Sequence, residues 1–351
     1  MTWIEAFLEN RSQVVQVNGA KSKTAKVLSG IPQGSVLGPI LFVIYINDLP
    51  KEVISSTLLF ADDTKIFRCI KSVADSLELQ KDLDQLVKWS KKWLLSFNAA
   101  KCHVLSIGNF ENIVHAHNYT MHSTELEHVF EEKDLGVIID SQLKFDDHIG
   151  TKIKKANSMA GLIRRSFTFL EPILFRKLYV AFVRPHLEYC QSVWSPYFHK
   201  HTNAIENVQI RATKAVDGLN NLTYEERLRK IDLPTLAHRR KRGDMIEVFK
   251  HATTYDKSSL STTIRFSPRP SRQHKYQIIQ PEAQDGTRGQ QRNSFYYRTS
   301  RTWNNLPRHV VEVETVDAFK CKIDAFWSNE RSKFLFHPHP YHQEPNDPDV
   351  E

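Results

Sequence analysis

Cysteine is scarce and scattered. The chain has four, Cys69, Cys102, Cys190 and Cys321, and no two stand at CxxC spacing. A disulfide framework and a zinc knuckle are therefore not expected, and a reducing compartment fits. Long apolar runs are missing as well. The stretch LGPILFVIYI (37–46) is too short to span a bilayer. No signal-peptide pattern follows Met1, so a nuclear or cytoplasmic setting without membrane contact is the expectation. No internal repeat is visible. One local absence concerns charge: no acid occurs between Gly150 and Glu171, while lysine and arginine are frequent there.

What is present is ordinary in amount. The chain has 351 residues, enough for two or three domains, with 40% hydrophobic and 25% charged residues. Its net charge is +8. That balance suits an anionic partner such as nucleic acid, although a solvated basic surface has the same composition. The oligomeric state is not legible.

The apolar period changes once. Up to about Asp140, short strands alternate with helices. VVQV and AKVL read as strands, and GPILFVIYINDLP as a buried helix with Pro39 in its first turn and Pro50 as its stop. TLLFAD and TKIFRC read as a hairpin. An amphipathic helix follows, carrying Val73, Leu77, Leu83, Leu86, Val87, Trp93 and Leu94 on one face. CHVLSI and LGVIID read as buried strands. From about Gln142 the pattern stays helical. Phe145, Ile149, Ile153, Ala156, Ala160, Ile163 and Phe167 make one stripe, with Lys152, Lys154, Lys155, Arg164 and Arg165 on the other faces. Further helices are expected over ILFRKLYVAFVR, TNAIENVQIRATKAV and PTLAHRRKRGDMIEVFKHA. The segment 255–291 reads as a loose basic linker, 292–336 as a small helical module, and 337–351 as a disordered tail. The fold class is α+β.

Two stretches carry chemistry. In FADDTKIF, Asp62 and Asp63 stand side by side between apolar runs, in what reads as a half-buried hairpin. Adjacent carboxylates repel, and a divalent cation offsets that repulsion. Mg²⁺ takes a few carboxylates together with substrate phosphate oxygens. An exposed Asp-Asp turn is the alternative, since aspartate is common in turns. Upstream, SGIPQGSVLGPILF spaces Gly30, Gly34 and Gly38 four apart around Pro32 and Pro39. Glycine allows close backbone approach to a ligand, and Gln33 offers an amide that donates and accepts. A plain loop entering a core helix would look similar.

In order, spacing and flanks, SGIPQGSVLGPILFVIYINDLP followed by FADDTKIF resembles the palm of reverse transcriptases, those of jockey-like non-LTR retrotransposons in particular. WLLSFNAAKCHVLSIG resembles the next palm motif and KDLGVIID the primer-grip hairpin. LYVAFVRPHLEYCQSVWSPY, IENVQIRATKAV and RTWNNLP resemble the region that follows the polymerase. The resemblance implies an RNA-directed DNA polymerase with Mg²⁺ as cofactor. It also implies an RNA template, a DNA primer and deoxynucleoside triphosphates as partners. Asp62 and Asp63 would be the metal ligands, Asp62 the more direct one. Gly30, Pro32, Gln33, Gly34 and Phe60 would line the nucleotide pocket. Lys101 would stand near the leaving pyrophosphate as a general acid, or be a solvated lysine. Leu135 and Gly136 would hold the primer.

On this reading 1–140 is the second half of a palm, an antiparallel sheet with helices, and 141–254 a helical thumb and connection. Lys152, Lys154, Lys155, Arg164 and Arg165 would follow a phosphate backbone. HRRKRGD (238–244) would contact nucleic acid, act as a nuclear localisation signal, or simply be solvated. In 255–301, arginines such as Arg265 and Arg298 interleave with Tyr276, Phe295, Tyr296 and Tyr297, a composition suited to single strands. The family's palm opens on a strand with a further metal-binding aspartate, upstream of the segment that MTWIEAFLENRSQVV matches. Asp48 ends a helix and is not expected to replace it. An N-terminally truncated polymerase, inactive by itself, is therefore the expectation. A catalytically inactive nucleic-acid-binding remnant is the alternative, and a host interaction scaffold a third.

Overall fold

The computed structural model describes residues 2–108, 117–254, 264–268, 273–279 and 293–337. The chain divides into two compact units, Met1–Val129 and Phe130–Glu351.

The first unit mixes helices with short sheets. A helix, α1 (Thr2–Leu8), precedes two pairs of two-residue antiparallel strands. These are β1 (Ser12–Gln13) with β4 (Ala25–Lys26), and β2 (Gln16–Val17) with β3 (Ala20–Lys21). Helix α2 (Leu37–Ile46) comes next. It was expected to be buried and is not. Only Gly38 and Ile46 are enclosed, while Ile40, Val43 and Ile44 are 51%, 53% and 66% exposed. The stretch is apolar on every side. Its Phe42 and Ile46 meet the unit's core, and the faces turned elsewhere keep their apolar character in the open.

Strands β5 (Ser56–Phe60) and β6 (Asp63–Phe67) form an antiparallel hairpin. Helix α3 (Val73–Lys92) starts at a capping box between Ser72 and Asp75. It buries Leu83, Leu86 and Trp89, whereas Val73, Leu77 and Leu94 of the expected stripe stay exposed. Strand β7 (His103–Leu105) pairs in parallel with β10 (Glu127–Val129), whereas β8 (Thr120–Met121) and β9 (Thr124–Glu125) are antiparallel. The core gathers Ile46, Leu49, Leu83, Leu86, Trp89, Tyr119, Met121 and Leu126.

The second unit opens with the hairpin β11 (Glu131–Asp134) and β12 (Val137–Asp140) and is helical thereafter. Its helices are α4 (Asp146–Ser166), α5 (Pro172–Leu178), α6 (Arg184–Glu188), α7 (Gln191–Trp194), α8 (His199–Thr213), α9 (Tyr224–Ile231), α10 (Leu236–Thr253), α11 (Phe295–Asn304), α12 (Arg308–Val311) and α13 (Val316–Phe326). The α4 stripe is as expected at its centre: Ile149, Ala156 and Ile163 pack with Tyr179, Val183, Leu187, Ile205, Val208 and Leu228. A second cluster joins Met245, Val248 and Phe249 of α10 to Trp303, Val310, Phe319 and Ile323. The C-terminal helices thus share a core with α10.

The linker expected over 255–291 is not loose throughout. Ile264 and Ile278 are 5% and 3% exposed and belong to the second cluster. Asn304 clamps Ile278 from both sides: its Oδ1 accepts from the Ile278 N–H at 2.8 Å and its Nδ2 donates to the Ile278 carbonyl at 2.9 Å. Isolated isoleucines in a polar run leave no period to read, so only packing reveals them. The rest of that segment and the tail beyond His337 lie outside the described residues. Among the described residues, no helix is long and apolar enough to cross a membrane.

Candidate functional site

The aspartate pair sits at a hairpin tip, as its apolar flanks suggested. Phe60 pairs with Asp63, which leaves Ala61 and Asp62 as the two-residue turn. Ala61 has φ +50°, in the left-handed region that costs an L-residue about 1 kcal/mol. Alternation sorts the strands into faces. Leu59 and Ile66 turn toward the core, while Phe60, Asp63 and Phe67 turn to solvent. The expected half-burial of the pair is corrected here: Asp62 and Asp63 are exposed and Phe60 is 63% exposed. The tip projects past the cluster that covers Leu59 and Ile66, so water solvates both charges.

A residue that sequence reasoning missed holds this hairpin. Asp82, 5% exposed on α3, accepts from the backbone N–H groups of Ile54 (3.0 Å) and Ser55 (2.9 Å), just before β5. Burial pushes its carboxyl up, but Ser55, Ile54 and Arg68 outweigh burial and hold it below the usual carboxylate range. Its only sequence signal was an acid beside the apolar stripe of α3.

The glycine loop is held from within. Gly30 and Gly34 have φ +80° and +77°, with open space where a Cβ would stand, so backbone conformation alone demands glycine. The Arg11 guanidinium donates to the Gly30 carbonyl. Ser35 Oγ donates to the Pro32 carbonyl at 2.8 Å and accepts from the Gly38 N–H at 3.0 Å. A Cβ on Gly38 would come within 2.9 Å of Ser35 Oγ and 3.0 Å of the Pro32 oxygen. The loop is therefore stapled to the first turn of α2. Pro32 is half-buried and Gln33 and Gly34 are exposed. Lys101 is exposed at the end of a single 3₁₀ turn before β7.

Two carboxylates suit one hard cation whose remaining ligands are substrate oxygens and water. Asp48 does not extend the set, because its Oδ1 accepts from the Trp89 indole N–H at 3.0 Å. Among the described residues, no group of three or more His, Cys, Asp or Glu side chains converges as a metal site.

In the second unit, Leu135 (φ +45°) and Gly136 (φ +85°) form the tip of the β11–β12 hairpin. That tip is engaged. Tyr189 OH donates to the Leu135 carbonyl at 2.8 Å, and Lys152 Nζ donates to the Gly136 carbonyl at 3.1 Å while lying 5.7 Å from the Tyr189 ring centre. Lys152 is half-buried. Lys154, Lys155, Arg164 and Arg165 are exposed along α4. Behind the hairpin, His148 Nδ1 accepts from the Ile138 N–H at 3.1 Å. Burial, then the nearby Lys152 charge, pulls His148 from the ordinary 6.5 to about 4.

The compact basic run 238–244 proves largely structural. Arg239 forks onto Glu188 at 2.8 and 2.9 Å, Lys241 pairs with Glu330 at 2.7 Å, and Arg242 forks onto Asp324. Arg240 and His238 are buried. Their acids come from α6, α13 and the turn after it, which no local pattern could supply. In the arginine–aromatic run, Arg265 is exposed but Arg298 is spent internally. Arg298 forks onto Asp244 at 2.9 and 3.1 Å and donates to the Ser192 carbonyl at 2.7 Å, with the Phe295 ring beneath it.

The hairpin tip and the stapled loop lie within a stretch that is similar to known proteins. Residues 1–150 match the reverse transcriptase (RNA-dependent DNA polymerase) family. This segment is similar to the reverse transcriptases of jockey-like, non-LTR elements. The chain is 32% identical over 235 residues to the RNA-directed DNA polymerase from mobile element jockey of Drosophila funebris. That match covers 61% of this chain and 25% of the relative. It is 26% identical over 232 residues to the probable RNA-directed DNA polymerase from transposon X-element of Drosophila melanogaster, covering 61% and 24%. It is 27% identical over 234 residues to the corresponding protein of transposon BS, from the same organism, covering 61% and 25%. The chain thus spans about a quarter of the length of these relatives. No solved structure matches it. Reverse transcriptases as a family use divalent metal ions, and the tip acids of this segment are its exposed candidates for that role.

Proposed function

We propose that this chain serves RNA-directed DNA synthesis by a non-LTR mobile element. The observation that carries the reading is the acid pair at the tip of a two-residue hairpin turn, within the reverse-transcriptase match. Residues 1–140 are then the second half of a palm, and α4 belongs to a thumb. Asp62 and Asp63 would hold Mg²⁺ together with triphosphate oxygens. When bound, the ion neutralises charge on the triphosphate and orients the attacking 3′-hydroxyl. The chain's own part is positional. Asp82 anchors the strand leading to the turn, and Ser35 stiffens the loop whose Gln33 faces the nucleotide. Phe60 offers a ring beside the acids, and Lys101 donates a proton near the leaving group. Leu135 and Gly136 hold the primer backbone, and the protein works in the nucleus or cytoplasm.

A specific observation favours a second reading, binding without catalysis. Two-metal chemistry needs a carboxylate that bridges both ions. Asp48 is engaged by Trp89, and the described residues bring no third acid to the pair. Primer extension separates the readings. The 351-residue chain with Mg²⁺ and deoxynucleotides is expected to give none. Fusing a fingers and first-palm segment of the same element should restore extension, and Asp62→Ala should then abolish it. Extension by the unmodified chain that survives Asp62→Ala would remove the hairpin from the active site.

A further inference from the structure

The second unit contains a pocket of about 340 Å³ that the polymerase reading does not use. Its wall carries Arg176 of α5, Arg184 at the start of α6, Arg239 and Arg242 of α10, and Lys333. Three carboxylates answer these five cations, and each is already committed. Asp232 takes Arg176 at 2.9 Å, Asp324 takes the Arg242 fork, and Glu188 takes the Arg239 fork with both oxygens.

Two cations are left under-compensated. Arg184 reaches Glu188 only at 3.6 Å, at an oxygen that Arg239 already occupies. Lys333 lies over the Phe334 ring at 5.1 Å and has no carboxylate within ion-pair distance among the described residues. A guanidinium with 20% of its side chain exposed, crowded by like charges, is short of an anion. Burial first, then Arg239 and Arg176, lowers the Arg184 pKa against the pull of Glu188.

The backbone also aims Arg184 unusually. Residues Tyr179–Val183 form a π turn, and the Arg184 N–H donates to the Tyr179 carbonyl five residues back. One extra residue in a helical turn rotates the residues after it, and such turns recur at functional sites. One more polar group is unspent. His238 lines the pocket and is 5% exposed, and its Nδ1 has no hydrogen-bond partner, the nearest Glu330 oxygen lying 3.6 Å away.

We infer that this pocket binds a backbone phosphate of a nucleic-acid strand, with Arg184 and Lys333 as its principal contacts. Guanidinium forks match the oxygen geometry of phosphate, and the space admits a phosphodiester with its flanking sugars. Trp327 is 7% exposed, with Lys241 4.9 Å from its ring centre and His238 beside it. A base therefore has no open ring there to stack on, and phosphate is the group the wall recognises. A net charge of +8 favours a polyanion over a single small ion. The inference stands apart from the polymerase reading and does not depend on the hairpin acids.

The test is fluorescence anisotropy of the full chain with a short labelled polyuridylate, across a salt series. Arg184→Gln combined with Lys333→Gln is expected to weaken binding about tenfold at low salt. The slope of log affinity against log salt should become shallower by about 0.7 for the lost single-strand phosphate. Arg184→Lys should keep part of the slope but lose affinity, because an ammonium cannot fork. Melting temperature checks that each variant folds. If Arg184→Gln does not, Arg176→Gln with Lys333→Gln samples the more exposed rim. Unchanged affinity and slope in a folded double variant would overturn the assignment. It also falls if inorganic phosphate or uridine monophosphate stabilises the wild type alone while polyuridylate binds both proteins equally, since the ligand is then a free phosphate. It falls too if polyglutamate of equal charge binds as tightly as the RNA and shows the same loss in the double variant, because an acidic protein is then the partner.

Discussion

Asp82 and Asp62 are both acids of the first unit, yet their loss should have unequal consequences for stability. Asp82 satisfies the backbone donors of Ile54 and of the buried Ser55. Asp82→Ala leaves both unpaired and should cost about 2–4 kcal/mol, read as a lower midpoint in urea. Its carboxyl titrates below the ordinary range when folded. That contribution is therefore present above the unfolded carboxylate pKa and is lost as pH falls through the folded value. Asp62→Ala removes an exposed turn charge, and stability should stay within about 0.5 kcal/mol of the parent. His148 has the same direction of dependence, in a higher window. Its folded pKa of about 4 against an ordinary 6.5 means that stability falls as pH drops below about 6.5 and levels near 4. A ring titration by NMR with a midpoint near 6.5 would contradict the buried, neutral ring that accepts from Ile138.

At the scale of elements, α4 joins two roles that substitutions should separate. Lys154, Lys155, Arg164 and Arg165 are exposed, so changing them to glutamine should leave the melt nearly unchanged. If α4 follows a nucleic-acid backbone, the salt slope should fall by about one per lost duplex phosphate contact. An unchanged slope would take α4 out of the interface. Lys152 differs because it bonds the tip of the β11–β12 hairpin. Lys152→Gln should cost about 0.5–1.5 kcal/mol regardless of any nucleic acid. The clamp of α11 on Ile278 makes a similar demand. Asn304→Ala removes two backbone bonds, and limited proteolysis should then cut faster near Ile278 than in the parent.

For the whole molecule, the two units differ in what they bury. The second encloses two large apolar clusters entirely within residues 130–351. Expressed alone, that piece should retain a cooperative melt and its helical circular dichroism, and a broad, non-cooperative melt would contradict this. The first unit has a smaller core and leaves Val15, Val17, Leu28, Val36 and Ile44 at the surface. Residues 1–129 alone should be marginal and prone to associate, as exposed apolar surface predicts. Light scattering on the isolated piece checks this.

Local pattern by itself determined the hairpin under Asp62 and Asp63, the α2 and α3 helices and the long stripe of α4, while the β11–β12 hairpin was legible only through the resemblance. Period and turn chemistry act over a few residues, so a few residues suffice to read them. The glycine loop was legible for the same reason, since positive φ at Gly30 and Gly34 is a local demand. Only tertiary structure decided which apolar faces are covered, and α2, apolar on all sides, shows that composition cannot say. It alone decided that the basic run 238–244 is mostly spent on Glu188, Asp324 and Glu330. Charge is a property of a residue, but compensation depends on partners brought together from distant parts of the chain. Arg184 and Lys333, far apart in the chain, line one pocket because α6 carries the first and the turn Arg331–Lys333, bonded to Thr235 at the start of α10, carries the second.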